Sequence, residues 1–217
     1  MRLLLAAGLA ALTIAAAPAD WTRRVTQTAQ GAFVLGNPAA KTRLVEYVSY
    51  TCDHCAHFVG EASAPLKAKV ASGGTAVEVR HAVRDPIDLS AALLARCTGP
   101  QRFFAVHEKL FATQSTWFAA GVRYAQANQD AIEKAAPAER LKLLTRGAGL
   151  PAVVGLTPAQ ADACVANLAG HKPVLAMADE AWRTRSIPGT PYFLVNGQGA
   201  EGVTSWAALE PRLTNPK

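Results

Sequence analysis

Cys52-Asp53-His54-Cys55 concentrates the reactive side chains of this chain in four consecutive positions. Glu46-Tyr47-Val48-Ser49-Tyr50 precedes it and reads as a strand; a helical pattern follows. The motif therefore falls at a helix N-terminus. There, free backbone N–H groups and the positive end of the helix dipole stabilise a thiolate. Thiols at i and i+3 lie on neighbouring turns and can close a small disulfide ring. The chemistry this predicts is disulfide exchange. His54 is expected to lower the Cys52 pKa, by charge or by a hydrogen bond to the thiolate. Asp53 acts in the opposite sense on the thiol while suiting the helix N-terminus. Cys52, His54, Cys55 and His57 form a compact donor set that offers a second reading, a metal site. Zinc normally takes four placed ligands, and a second Cys/His group at ligand spacing is absent, so no metal is expected.

Two further features belong with the pair. Glu46 alternates with Leu44, Val48 and Tyr50 on one strand face. Buried beneath Cys55, its carboxyl would have a raised pKa and could carry the proton on and off that thiol. The alternative is a solvated edge-strand carboxylate. Ile187-Pro188-Gly189-Thr190-Pro191 precedes a returning strand. A cis Thr190–Pro191 bond beside the cysteines could present backbone groups to an extended substrate, whereas a trans bond is an ordinary strand entry.

The other two cysteines are read through the compartment. Met1-Arg2 begins a positive n-region, Leu3 to Ala17 is apolar, and Ala17-Pro18-Ala19 gives a small-x-small cleavage pattern. The expectation is a signal peptide over 1–19 and export to the periplasm. In an oxidising compartment four cysteines suggest disulfides. The short Cys52–Cys55 loop leaves Cys97–Cys164 as a second, structural pair; the alternative is two buried free thiols.

The elements that position these residues follow from pattern. The chain has 217 residues, half of them hydrophobic, which suits one domain or one domain with an insertion. Its formal charge of +6 is spread out, without the clustered basic patch that a nucleic-acid partner needs. Asp20 to Gln30 lacks periodicity and reads as a mobile lead-in. Strands are expected at Ala32 to Leu35, Leu44 to Tyr50 and Ala76 to Val83. Between the last two, Cys55 to Val70 reads as a helix kinked at Pro65. Pro86 to Arg185 shows no convincing strand. Helices are expected at Asp88 to Cys97, Gln101 to Phe111, Val122 to Asn128, Ala138 to Gly147, Pro158 to Ala169 and Pro173 to Arg185. His81, His107 and Trp117-Phe118 read as packing residues. Tyr192 to Val195 and Ala200 to Val203 form a hairpin about Asn196-Gly197, and Ser205 to Leu213 a last helix. The sum is an α/β unit interrupted by a helical block, divided as 20–30, 31–85, 86–185 and 186–217.

The segment from Glu46 to Cys55, followed by Phe58, resembles the active-site segment of the DsbA-like thiol:disulfide oxidoreductases. Pro188-Gly-Thr190-Pro191-Tyr-Phe-Leu-Val-Asn196-Gly197 resembles their cis-proline strand and hairpin. The resemblance covers Gly31 to Leu213. It implies a thioredoxin fold with an inserted α-helical subdomain. It implies that Cys52 is the exposed nucleophile, Cys55 the buried resolving cysteine, Glu46 the buried acid and Pro191 the cis-proline. Thr190, before that proline, would tune redox behaviour and partner choice. Protein thiols would be the substrates, with no diffusible cofactor and a membrane redox partner or another oxidant for recycling. Asp53 and Thr190 depart from the strongly oxidising members and leave isomerase or reductase as alternatives to oxidase. The short 20–30 segment leaves no room for the dimerisation domain of the family's dimeric isomerases, so a monomer is expected.

Overall fold

The computed structural model describes residues 19–214; the expected signal peptide lies outside the described residues save for Ala19. Six strands form one sheet in the order β1-β2-β4-β3-β5-β6. They are β1 (Val25–Gln27), β2 (Phe33–Gly36), β3 (Thr42–Val48), β4 (Thr75–His81), β5 (Tyr192–Val195) and β6 (Gln198–Gly199). β3 and β4 are parallel, and α1 (Asp53–Ala71) makes the crossover between them. The other pairs are antiparallel.

β3 lies between β4 and β5, with helices on both faces, so both of its sides are buried. Leu44 and Val48 point into the main core with Phe58, Leu66 and Phe193. Val45 and Tyr47 point into a second, smaller core with Ala181, Ile187 and Leu194. This strict alternation puts Glu46 on the main-core side.

All of the inserted helices stand between β4 and β5. They are α2 (Pro86–Cys97), α3 (Pro100–Ala112), α4 (Gln114–Ala127), α5 (Gln129–Lys134) and α6 (Pro137–Gly147). α7 (Leu150–Val154), α8 (Pro158–Ala166) and α9 (Leu168–Asp179) complete the block, which closes on a π-helical turn at Glu180–Thr184. α10 (Trp206–Thr214) ends the described chain. The disulfide Cys97–Cys164 joins the end of α2 to α8. Cys97 is exposed and Cys164 half-buried, so neither is a buried free thiol. His81 and His107 pack in the aromatic cluster around Tyr50 and Phe103, although both ring nitrogens of His81 lack a partner.

Several expectations need correction. Asp20 to Gln30 is not without structure: a 3-10 turn at Trp21–Arg23 leads into β1, which pairs with β2 from Val25↔Leu35 to Gln27↔Phe33. The helix expected from Asp88 begins at Pro86 instead, because Asp85 caps it by accepting from Ile87 and Asp88 N–H. α4 begins eight residues before the expected start at Val122, and Leu150–Val154, for which no helix is expected, is helical between two left-handed glycines. The last strand is shifted from 200–203 to Gln198–Gly199, since the two-residue turn sets Leu194 opposite Gly199. Asn196 (φ 50°) and Gly197 (φ 84°) both adopt the positive φ of that turn.

Candidate active site

Cys52 occupies the N-cap of α1, one turn beyond the end of β3. The turn Ser49–Cys52 between them closes through Cys52 N–H to the Ser49 carbonyl at 3.1 Å. Both cysteines are reduced. Cys55 is fully buried in the first turn of the helix. Cys52 is only 2% exposed, although Asp53 and His54 beside it are open to solvent. The expectation of an exposed Cys52 is therefore corrected: the sulfur sits just under the surface at the rim.

The Thr190–Pro191 bond is cis. It brings the Thr190 carbonyl to 3.1 Å from the Cys52 sulfur, which donates to it as a thiol. As a thiolate, Cys52 is held at a pKa of about 5. The main cause is the hydrogen bond from the Cys55 thiol, which outweighs the opposing effect of burial. The Thr190 hydroxyl, the Cys55 N–H and the Arg84 charge add to it. That hydroxyl is buried and has no other partner, so it is free to turn toward the sulfur. Burial, followed by the neighbouring Cys52, drives the Cys55 thiol far upward. One thiol is thus ionised at neutral pH and the other protonated.

The His54 backbone N–H donates to Asp53 Oδ1 and its ring is exposed, while the largest effects that lower the Cys52 pKa come from Cys55 and Thr190, with Arg84 adding to them. Asp53 is the first residue of α1, where its carboxylate faces the dipole. His57 is exposed beside Glu61. No group of three or more His, Cys, Asp or Glu side chains at metal-binding distance occurs among the described residues.

Glu46 is 3% exposed on a central strand, not a solvated edge carboxylate. Burial alone lifts its pKa to about 8, and Oε1 has no hydrogen-bond partner. It faces a cavity of about 40 Å³ under α1, shared with Phe58, Leu66 and His107. That volume holds a water. No hydrogen bond joins Glu46 to either sulfur among the described residues.

Three residues that hold the cysteine turn carry no local signal in the sequence. Asp88, 1% exposed, accepts from Ser49 Oγ at 2.6 Å, Tyr50 N at 2.7 Å and Arg84 N at 3.0 Å. Gln114 Nε2 donates to the Tyr50 and Cys52 carbonyls, both at 2.8 Å. Arg84 Nε donates to Ser49 Oγ at 3.0 Å. The start of α2 and the start of α4 thus hold the turn that carries the nucleophile. Their separations of 38 and 62 residues left no local signal to read.

A stabilised thiolate, a protonated partner thiol and a backbone carbonyl beside them form a centre for thiol–disulfide exchange. The comparisons point the same way. The family model described as Thioredoxin matches residues 28–214. The solved structure of a protein-disulfide isomerase from Novosphingobium aromaticivorans is 37% identical, with a TM-score of 0.77, over 83% of this chain and 94% of that one. Wolbachia pipientis alpha-DsbA1 shares the fold, with a TM-score of 0.66 over 87% and 92% of the two chains at 20% identity. A provisionally named protein-disulfide oxidoreductase of Rickettsia bellii is 28% identical over 170 residues, 77% of this chain and 58% of the relative. The chain spans little more than half the length of the curated relatives it matches. By the family match over residues 28–214, this chain belongs to the thioredoxin family.

Proposed function

We propose that the protein introduces disulfides into other proteins after export to the periplasm, through the Cys52–Cys55 pair. The observation that carries this is the difference in acidity between the two thiols. A low Cys52 pKa stabilises the reduced enzyme, so its disulfide is the stronger oxidant. In the oxidised enzyme, a substrate thiolate attacks Cys52 Sγ. The Cys52–Cys55 bond breaks, and Cys55 leaves and takes up a proton. A second substrate thiolate then attacks the substrate sulfur of the mixed disulfide and expels Cys52 as a thiolate. The substrate loses two electrons and the enzyme gains them. A membrane redox partner or another disulfide oxidant must remove them again. The signal-peptide pattern and the Cys97–Cys164 bond support export.

Isomerisation is the second reading, favoured by the 37% identity to a protein named a disulfide isomerase. The test is to mix oxidised enzyme with a reduced, unfolded dithiol protein and to equilibrate the pair with glutathione. Oxidase action predicts rapid substrate oxidation, a potential well above that of cytosolic reductants, and loss of turnover to background in Cys52→Ser. A potential as low as those reductants overturns the oxidase assignment. Turnover in Cys52→Ser overturns the whole mechanism.

A further inference from the structure

The Cys52 sulfur meets Cys55 and the Thr190 carbonyl. Reaching the residues just before Cys52, from the turn that joins β4 to α2, is Arg84. Its Nε donates to Ser49 Oγ at 3.0 Å and its Nη2 to Thr51 Oγ1 at 3.4 Å. Thr51 is bonded directly to Cys52. Both anchors of the guanidinium are neutral hydroxyls. The two nearby carboxylates are engaged elsewhere. Asp85 accepts from Thr51 Oγ1 at 2.6 Å and caps α2. Asp88 takes Ser49 and the N–H groups of Tyr50 and Arg84. Arg84 makes no ion pair among the described residues.

An arginine fixed by hydroxyls makes no direct ion pair, so its charge acts on whatever anion forms next to it, offset in part by the carboxyls beyond those hydroxyls. The anion that forms here is the Cys52 thiolate. We propose that Arg84 is a positioning residue of the exchange reaction, a fixed cation that holds negative charge on the Cys52 sulfur. This is the task expected of His54, whose ring stands in solvent. The charged groups that share its hydroxyl anchors are Asp85 and Asp88 at the start of α2. Arg140 and His171 line a neighbouring cavity of about 450 Å³. Burial and the nearby Asp85 hold Asp88 up at about 7 against its hydrogen bonds, so it only partly offsets Arg84 at neutral pH. The lowered Cys52 pKa includes an attraction to Arg84. The step concerned is loss of the Cys52 S–H proton to solvent, with no change of oxidation state.

The inference rests on the thiol–disulfide reading of the pair, but its test needs no turnover. The reduced protein is titrated by thiolate absorbance and by the rate of iodoacetamide alkylation, in wild type, Arg84→Gln, Arg84→Lys and Thr51→Val. Arg84→Gln is expected to lower the Cys52 ionisation constant about three- to tenfold. The equilibrium constant with glutathione falls by the same factor, about 14–30 mV by the two-electron relation. Arg84→Lys, which keeps the charge, restores most of that loss. Thr51→Val removes one anchor without touching the charge and gives a smaller shift in the same direction. It serves as the deciding variant, with Arg84→Lys, if Arg84→Gln does not fold. A folded Arg84→Gln with the wild-type titration overturns the role of Arg84 alone. So does an unshifted Thr51→Val where Arg84→Gln does not fold. A wild type lacking any acidic thiol overturns the exchange reading itself.

Discussion

Cys52 and Glu46 are both buried, yet their acidities move in opposite directions, and each shift predicts a different response to pH. The Cys52 thiol is depressed to about 5, first by the Cys55 thiol that donates to it. In the unfolded chain a thiol ionises near 8.5. A group depressed in the folded state contributes stability that is full above its unfolded pKa. That stability is lost as pH falls through its folded one. Reduced protein should therefore lose stability between about pH 8.5 and 5 relative to oxidised protein, where no thiol titrates. Urea unfolding of both forms across that window checks this. Thr190→Val removes the unpartnered hydroxyl and should move the alkylation midpoint up by about one pH unit. Glu46 runs the other way. Its carboxyl is raised from 4.5 to about 8 by burial, so folding disfavours its ionised form. Stability is lost as pH rises from about 4.5 to about 8. Glu46→Gln should remove this part of the slope and raise the melting temperature at pH 8 but not at pH 4, as seen in thermal unfolding. If the Glu46 cavity also passes protons toward Cys55, the same variant slows exchange; if not, the rate is unchanged.

At the scale of elements, the nucleophile's turn is pinned by two inserted helices rather than by its own strand and helix alone. Gln114 is the contact most open to test. Gln114→Ala leaves the Tyr50 carbonyl without its side-chain partner in a buried place, while the Cys52 carbonyl keeps the Ala56 N–H. The expected cost is about 1–3 kcal/mol of stability. It should come with a slower attack on Cys52, measured by denaturant unfolding and by single-turnover mixing. The same element shows where sequence reading stops. α1, β3, the Asn196-Gly197 turn and the start of α8, capped by Thr157 and Gln160, all carry local signals, and each stands where its signal placed it. β1 and β6 carry none, since strands of three and two residues exist only through their neighbours. α7 is hidden for a related reason. Five residues between Gly149 and Gly155 look like a turn until buried Leu150 and Val154 are seen to hold them. Within the site, the cysteines and Glu46 were legible from spacing and alternation. Arg84, Asp88 and Gln114 were not, because a polar residue on a helix gives no sign of what it will meet across the fold.

For the whole molecule, the Cys97–Cys164 bond closes a loop with a sequence separation of 67 and fastens α2, the helix whose start anchors Ser49 and Tyr50. The chain-entropy relation puts such a closure at about 4 kcal/mol. Replacing both cysteines by alanine should lower stability by about 2–4 kcal/mol, as read in urea titrations. The Cys52 alkylation midpoint is expected to stay put, because no bond of the pair reaches the site. A last consequence concerns the order in which the molecule comes into being. Cys52 and the Thr190 carbonyl that meets it are 138 residues apart in the chain. Contacts of such long range form late in folding, after local helices and the first parallel pairing. A growing or half-folded chain therefore carries its cysteine pair long before it carries the surroundings that make Cys52 acidic. Acidity arrives only with the finished fold, so the reduced pair of an immature copy stays protonated and is slow to attack the disulfides of other chains around it.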